Sequence, residues 1–284
     1  MKQYEEYLKK LPVMPTVATK ILSMAEDRVD VNFTELEHLV KVDPSLSTKV
    51  LRIANSALYA RPQRISTLQS AIGMLGFKNI KSLILLVTAS NLFSKYSNTE
   101  FYKRFWKHSI LTAFLSKQLA IKSGNKKIGE EAFLGGLLHD IGQAAIFHED
   151  PDAYQELIEH HKQTSEKMSE LEKGKFNITH KEIGGIVLEK WSFPPIYCDV
   201  AREHCHEHIS SHHKVLIQLV SAADIISHEE VYGFINKTKK DVLPKFLLQL
   251  GLPEEEIQNE SDQLLDEIKN DPLYQETKNL FNLD

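Results

Sequence analysis

Hydrophobic residues recur at helical spacing along most of the chain, and no segment shows the strict alternation that is typical of a β-strand. After Pro44, for example, Leu46, Val50 and Ala54 share one face of a predicted helix. The segment 83–92 is apolar on all sides, which predicts a helix buried in the core. The pattern therefore predicts an all-α fold.

Residues that cap helices mark several of the predicted starts. Ser66 with Gln69 and Thr179 with Glu182 form capping-box patterns, and Asn32 precedes a further apolar-periodic segment. Gly124 to Lys127 is a predicted turn, and Phe193-Pro194-Pro195 ends a helix. Other helices are predicted near residues 16–25, 130–139, 196–204 and 215–226, with an amphipathic helical tail beyond residue 253.

The length of 284 residues fits one large domain or two closely packed ones, at roughly 100–200 residues per domain. A polar break at residues 95–98 separates a group of short helices from a longer one. We therefore divide the chain into an N-terminal helical subdomain at 1–94, a helical core at 95–232 and a C-terminal helical extension at 233–284.

Composition narrows the possible surroundings and partners. The net charge is −5 and no basic block stands out, which argues against nucleic acid as a partner. The two cysteines form no disulfide framework, and the longest apolar stretch, Leu83 to Val87, is too short to cross a bilayer. The N-terminus shows no apolar segment of a signal peptide. A cytoplasmic protein without membrane contact is expected.

Histidines are concentrated between His139 and His228. The adjacent pair His139-Asp140 stands at a predicted helix end, where a bend lets both side chains turn toward one ion. Imidazole with carboxylate suits iron, manganese or zinc better than calcium. The alternative is structural, with Asp140 capping a helix and His139 bonded to a backbone carbonyl. Other histidines, such as His160, His161, His212 and His213, are expected to face water.

His108 and Asp224 lie inside apolar helical patterns, upstream and downstream of the His-Asp pair. A buried carboxylate without a partner is costly, so Asp224 needs a hydrogen-bond network, a cation or a metal. A bond from Asp224 to a neighbouring histidine or to the backbone is the simpler alternative.

Several short motifs occur together in a fixed order along the chain. They are Leu11-Pro12 with Pro15, Asp43-Pro44-Ser45-Leu46, Leu51-Arg52-Ile53-Ala54-Asn55-Ser56, Ile65-Ser66, Leu75-Gly76, Trp106-Lys107-His108-Ser109, Gly136 to Gly142, and Trp191-Ser192-Phe193-Pro194. With this set the chain resembles the HDOD branch of the HD phosphohydrolase superfamily over roughly residues 10 to 230. The resemblance implies an all-helical HD-like domain with an N-terminal helical bundle. It also implies a signalling or regulatory role, often without demonstrated activity.

The resemblance also implies a metal site. The residues that match its ligand positions are His108, His139, Asp140 and Asp224 for one ion, with His180 and His204 in the order of the additional ligands of the HD-GYP phosphodiesterases. By this likeness the chain would bind one or two divalent ions, and iron and manganese are the favoured metals. Asp140 would bridge the two ions and orient the attacking water as the catalytic residue.

Three departures from the HD-GYP pattern leave activity open. Gln143 replaces a lysine, Cys205 replaces a second histidine, and the GYP signature is absent. Losing the lysine should slow phosphodiester cleavage. His180 could instead be a solvated residue in the first turn of its helix. His204 lies in a turn with two further histidines, and the sequence does not tell which of the three points inward.

Two functions follow as hypotheses. The first is a regulatory module that acts mainly through an unidentified signalling protein or through self-association, with a retained metal site. The second is a metal-dependent phosphohydrolase or phosphodiesterase acting on a nucleotide or cyclic dinucleotide.

Overall fold

The structure is a computed structural model that describes residues 7, 9–24, 35–40, 43–57, 65–164, 166–234, 237–252 and 254–283. These residues form helices joined by short turns, and they contain no strand. The predicted all-α fold is therefore confirmed. The predicted cap Asn32 lies outside the described residues.

The first half of the chain forms several short helices and ends in a long central helix. They are α1 (Thr16–Ser23), α2 (Pro44–Ala57), α3 (Leu68–Leu75), α4 (Phe77–Asn91) and α5 (Glu100–Lys122), with a 3₁₀ turn at Ser94–Tyr96 before α5. Residues 35–40 are also helical.

Helices of the second half carry most of the candidate site. They are α6 (Gly129–Leu138), α7 (Ile141–Glu149), α8 (Pro151–Thr164), α9 (Met168–Phe176), α10 (His180–Lys190), α11 (Pro195–Glu203), α12 (Lys214–Tyr232), α13 (Lys237–Gln249), α14 (Glu254–Asn270) and α15 (Pro272–Leu280), with a 3₁₀ turn at Lys126–Ile128 before α6.

Two predicted capping boxes have different outcomes. Thr179 and Glu182 form a complete capping box at the start of α10. At α3 the cap is Thr67, whose side chain accepts a hydrogen bond from the Ser70 backbone. The prediction of Ser66 was wrong by one residue because two adjacent hydroxyl residues offer the same cap chemistry.

One continuous hydrophobic core runs from Leu11 to Phe281. The long helix α5 lies at its centre and packs on α6 and α12. The C-terminal helix α15 returns to the start of the chain and packs on α2 and α5. Phe281 packs against the fully buried Trp106, with ring centroids 4.6 Å apart and the ring planes tilted by 47°. The division at residues 94 and 232 remains a prediction, since the core crosses both boundaries.

A close helix contact positions one side of the site. Helices α7 and α10 pack at Gly142 and Gly184, where a side chain on Gly142 would meet the His180 carbonyl oxygen at 1.9 Å. Only glycine allows this approach of two backbones. The start of α10 is thereby held against the start of α7, next to Asp140. Of the helices that the structure describes, none is long and apolar enough to cross a membrane.

Candidate metal centre

Asp140 occupies the bend between α6 and α7, directly after the last turn of α6. It stands at the cap position of α7, yet its side chain makes no capping hydrogen bond. The carboxylate is instead buried and turned toward His139, with Oδ2 3.4 Å from the His139 Nε2 atom. The structure therefore rejects the capping alternative for Asp140.

The central helices bring His108 and Asp224 to the same point. His108 comes from α5 and Asp224 from α12, and both are 2% exposed. The His108 Nε2 atom lies 3.1 Å from Asp224 Oδ1 and 3.8 Å from Asp140 Oδ2. His139 Nε2 lies 3.8 Å from Asp224 Oδ1. Four predicted ligands from distant parts of the chain thus meet in one cluster.

The opposite side of the Asp140 carboxylate faces two further imidazoles. His180 Nε2 lies 3.6 Å from Asp140 Oδ1, and His204 Nε2 lies 3.3 Å from the same oxygen. Both histidines are buried, so the solvated alternative for His180 does not hold. His206 and His208 are exposed, which identifies His204 as the inward-facing histidine of its turn.

All four histidines are held at Nδ1 by an oxygen atom, which leaves Nε2 to face the carboxylates. The Nδ1 contacts are Ser227 Oγ for His108 at 3.1 Å, the Gly136 carbonyl for His139 at 2.8 Å, Glu172 Oε2 for His180 at 2.6 Å, and the Val200 and Ala201 carbonyls for His204 at 3.1 and 3.0 Å. A second-shell oxygen at one ring nitrogen is the usual way to fix the tautomer and orientation of a metal-binding histidine. His139 therefore makes the backbone bond that was its structural alternative and still presents Nε2 to the site.

Glu172 was not anticipated from the sequence. It is fully buried on α9 and accepts hydrogen bonds from the His180 backbone at 2.8 Å and from the Tyr154 hydroxyl at 2.7 Å. The segment around Glu172 is polar, as expected of a solvated helix. No local pattern distinguishes Glu172 from its exposed neighbours, so only the fold reveals that it orients His180.

Burial and pairing set the charges in the cluster. Burial alone would raise the pKa values of the two carboxyl groups. The neighbouring His139 nevertheless holds the pKa of Asp140 well below its usual range, and the Lys239 charge does the same for Asp224. Burial lowers the pKa of His139, yet Asp140 and Asp224 outweigh it and raise that pKa to about 10. Burial and the Lys181 charge lower the pKa of His204 to about 3. Two anionic carboxylates thus lie among imidazoles, and an incoming cation would displace the proton from His139.

Among the residues that the structure describes, three polar side chains besides the histidines contact the carboxylates. The Lys239 Nζ atom on α13 lies 3.0 and 3.1 Å from the two oxygens of Asp224. The Cys205 thiol donates to Asp224 Oδ2 at 2.9 Å, and the Gln143 amide donates to Asp140 Oδ2 at 2.6 Å. Cys205 is thus a hydrogen-bond donor at the edge of the cluster. Lys239 was not anticipated from the sequence, because it belongs to a lysine-rich segment of the kind that usually faces water.

The clustered histidines and aspartates fit a divalent ion for two reasons. They supply nitrogen and oxygen ligands, and several of their buried polar atoms have no hydrogen-bond partner. Among the described residues, His108 Nε2, His139 Nε2 and Asp140 Oδ1 are buried without a hydrogen-bond partner. Ligand atoms of His108, His139 and Asp224 lie within 4.8 Å of one another, as do those of His139, Asp140 and His204. Buried polar atoms of this kind usually have a partner, and mixed nitrogen and oxygen ligands suit a transition metal.

Other residues singled out from the sequence lie outside the ligand cluster. Trp106 and Trp191 are buried in the hydrophobic core. His161 was wrongly expected to face water. It is buried on α8, and its Nδ1 atom bonds the Glu166 carbonyl. His160 and His212 are exposed.

A pocket opens onto the cluster from outside. Asp140, His180, His204 and Asp224 lie among its lining residues. Its basic side chains are Arg104, Lys162, Lys167, Lys181 and Lys239, whereas Glu100, Asp140 and Asp224 are its carboxylates. The cavity volume is about 140 Å³. Described residues before position 100 contribute nothing to this pocket.

Comparison with known proteins identifies a family. The family model for the HDOD domain matches residues 11–207. A curated relative, an uncharacterised protein of Treponema pallidum (strain Nichols), is 23% identical over 215 residues, which are 75% of this chain and 42% of that protein. The chain therefore spans less than half the length of the curated relative that it matches.

Solved structures share the fold. An HDOD domain protein of unknown function from Geobacter sulfurreducens is 21% identical, with a TM-score of 0.75 and coverage of 99% of this chain and 97% of that one. A candidate phosphohydrolase from Shewanella amazonensis SB2B is 20% identical, with a TM-score of 0.74 and coverage of 98% of both chains. A candidate signal transduction protein from Marinobacter aquaeolei VT8 is 21% identical, with a TM-score of 0.75 and coverage of 96% of this chain and 60% of that one. At these identities the likeness establishes the fold alone.

Proposed function

From the chain's membership of the HDOD domain family and the convergence of its imidazoles and carboxylates, we propose that this protein has a working metal centre and hydrolyses a phosphoester. The observation that carries the proposal is the convergence of four imidazole Nε2 atoms on the two oxygens of Asp140 and on Asp224. A structural core would not need six ionisable side chains at its centre, since buried ionisable groups are costly.

The two oxygens of Asp140 divide the ligands into two sets. Oδ2 faces His108 and His139, which also approach Asp224, whereas Oδ1 faces His180 and His204. With such a division His108, His139 and Asp224 would hold one ion and His180 and His204 a second, with Asp140 available to both. Iron, manganese or zinc fits the ligands, because histidine nitrogen and carboxylate oxygen are combined, and the family likeness favours iron or manganese.

When bound, divalent ions would polarise the phosphoryl group and lower the pKa of a water molecule. The chain's own residues supply the remaining requirements. Asp140 lies between the two ligand sets, where it can orient the attacking water. The basic side chains that line the pocket offset the negative charge of a phosphate group. The apolar core that surrounds α5 keeps bulk water away from the buried side of the cluster.

The size of the pocket narrows the substrate class. A cavity of about 140 Å³ is small beside the roughly 300–1,000 Å³ of sites that enclose a drug-sized ligand. It can hold one phosphate group and the adjoining part of its ester, whereas most of a nucleotide or cyclic dinucleotide would remain outside. We therefore favour a phosphomonoester, such as the terminal phosphate of a nucleotide, over a cyclic dinucleotide.

A turnover panel tests this function. Protein prepared anaerobically and loaded with manganese or iron should release phosphate from at least one phosphomonoester, and a chelator should stop the reaction. The panel should include nucleotides, a cyclic dinucleotide and a small aryl phosphate. Bound metal without turnover on any of these esters would contradict the catalytic proposal.

A regulatory module with a structural metal is the second candidate. It is favoured by helices α1 to α4, because the pocket lining includes none of their described residues. The outer surface of these helices takes no part in the proposed catalysis and could bind a signalling protein or a second copy of the chain. A metal-loaded but inactive protein in the turnover panel would favour this candidate.

A further inference from the structure

A second group of metal-binding side chains lies near the surface, apart from the centre around Asp140. Asp199 on α11 meets His212 and His213, which directly precede α12. Each of the three residues offers one ligand atom, and these atoms lie within 4.8 Å of one another. Asp199 and His213 are partly buried, whereas His212 is exposed. The function proposed above uses none of these residues.

Hydrogen bonds already orient two of the three side chains. The His213 Nδ1 atom lies 2.9 Å from Asp199 Oδ2, and the Ser211 hydroxyl donates to the same oxygen at 2.7 Å. The Ser211 hydroxyl also accepts a hydrogen bond from the His213 backbone at 3.0 Å. Because these contacts restrict Asp199 and His213 in advance, little further side-chain entropy would be lost when they bind an ion.

The third side chain, His212, stands beside this pair. Its ring centroid lies 3.8 Å from that of His213, and its side chain makes no hydrogen bond or ion pair with any residue that the structure describes. An ion pair between Asp199 and His213 explains their own contact but not the second imidazole at the same place. Two imidazole nitrogens and one carboxylate oxygen form a ligand set that zinc takes with water in the fourth position.

We propose that Asp199, His212 and His213 form a surface zinc site. Two atoms bound to one tetrahedral zinc ion at about 2.0–2.2 Å are roughly 3.3–3.6 Å apart. The contact of 2.9 Å between Asp199 and His213 therefore needs only a small adjustment. Zinc takes the place of the proton at His213 Nδ1, and the neutral ring then carries its proton at Nε2. Manganese binds the same ligands more weakly than zinc.

The position of the site gives the ion a structural effect. The turn 204–213 joins α11 to α12 and begins with His204, a predicted ligand of the buried centre. A zinc ion ties the far end of this turn back to α11 at Asp199. The Glu203 carboxylate makes a parallel tie, since it accepts hydrogen bonds from the Ser210 backbone and hydroxyl, both at 2.6 Å. The ion thereby restricts the turn that presents His204.

The probe is zinc itself, added to the full-length protein. After dialysis against micromolar free zinc, the parent protein should hold one zinc ion per chain more than His212→Asn, which loses a ligand without losing a hydrogen bond. His160→Asn is the matched control, because His160 is also an exposed histidine and faces the Glu166 carboxylate at 3.4 Å. It should bind as much zinc as the parent protein.

Crystals soaked with zinc and measured near its absorption edge locate the ion. The peak beside Asp199 should be present in the parent protein and absent in His212→Asn, whatever is bound around Asp140. Equal zinc contents of the parent protein and His212→Asn after dialysis would overturn the site. A peak beside Asp199 in the parent crystals would then be binding at crystal concentration only.

Amide hydrogen exchange measures the effect on the turn. Zinc should slow exchange in residues 204–213 of the parent protein and of His160→Asn more than in His212→Asn. Because both comparisons are made against His212→Asn, they do not depend on the ions around Asp140 or on any turnover. Exchange that zinc slows equally in all three proteins would overturn the tie between the turn and α11.

Discussion

Asp140→Ala should abolish stable metal binding and any phosphoester turnover. Both Asp140 oxygens face imidazoles, Oδ2 toward His139 and Oδ1 toward His204, so one substitution removes a ligand from both halves of the centre. Loss of an outer-shell partner alone typically lowers metal affinity about 10–100-fold, so loss of a shared ligand should cost on the order of 100-fold or more. Metal content after dialysis and the dissociation constant for manganese provide the measurement.

Asp150→Ala is the control for general destabilisation. Asp150 precedes α8 and accepts a hydrogen bond from the Ala153 backbone, so its loss should cost about 1 kcal/mol of helix-cap stability without touching the site. This variant should keep its metal. If Asp140→Ala retains metal as tightly as Asp150→Ala, Asp140 is not a ligand and the proposed division of the centre is wrong.

Gly142→Ala should lower the free energy of unfolding by about 3 kcal/mol or more, at the upper end of the range for overpacked cores. The new Cβ atom would lie 1.9 Å from the His180 carbonyl oxygen and 2.8 Å from the Gly184 backbone nitrogen. Backbone atoms cannot move aside as the end of a side chain can, so α7 and α10 must separate. His180 begins α10 and would move away from Asp140. Urea unfolding of the metal-free protein provides the measurement.

Gly174→Ala provides the matched comparison. Gly174 lies inside α9, and nothing stands within 4 Å of its added Cβ atom. Alanine should stabilise the protein there by about 0.4–1 kcal/mol, because it restricts the unfolded chain and favours the helix. Equal effects of the two substitutions would show that the contact between α7 and α10 is not as close as described.

The fold was predictable to the extent that helix signals are local. Apolar spacing predicted buried faces such as that of α4, and Thr179 with Glu182 predicted the start of α10 correctly. The cap of α3 was misplaced by one residue because Ser66 and Thr67 offer equivalent hydroxyl groups. The return of α15 to pack on α2 and α5 depends on contacts far apart in sequence, such as Phe281 with Trp106, which no local pattern encodes.

The candidate site was predictable where a family motif or a buried polar residue drew attention. The six predicted ligands converge, but the selection of His204 over His206 required the turn after α11. Glu172 and Lys239 were not predicted, because each lies in a polar segment whose sequence is typical of a solvated helix. Their roles arise from tertiary packing, which buries Glu172 against His180 and places Lys239 against Asp224.

The central claim is that the imidazoles and carboxylates around Asp140 hold metal ions. Crystals of protein loaded with manganese, measured near the absorption edge of that element, test it most directly. We expect one or two anomalous peaks about 2 Å from the Asp140 oxygens and from the facing Nε2 atoms. The absence of any manganese peak inside the cluster, with or without peaks elsewhere, would contradict the account.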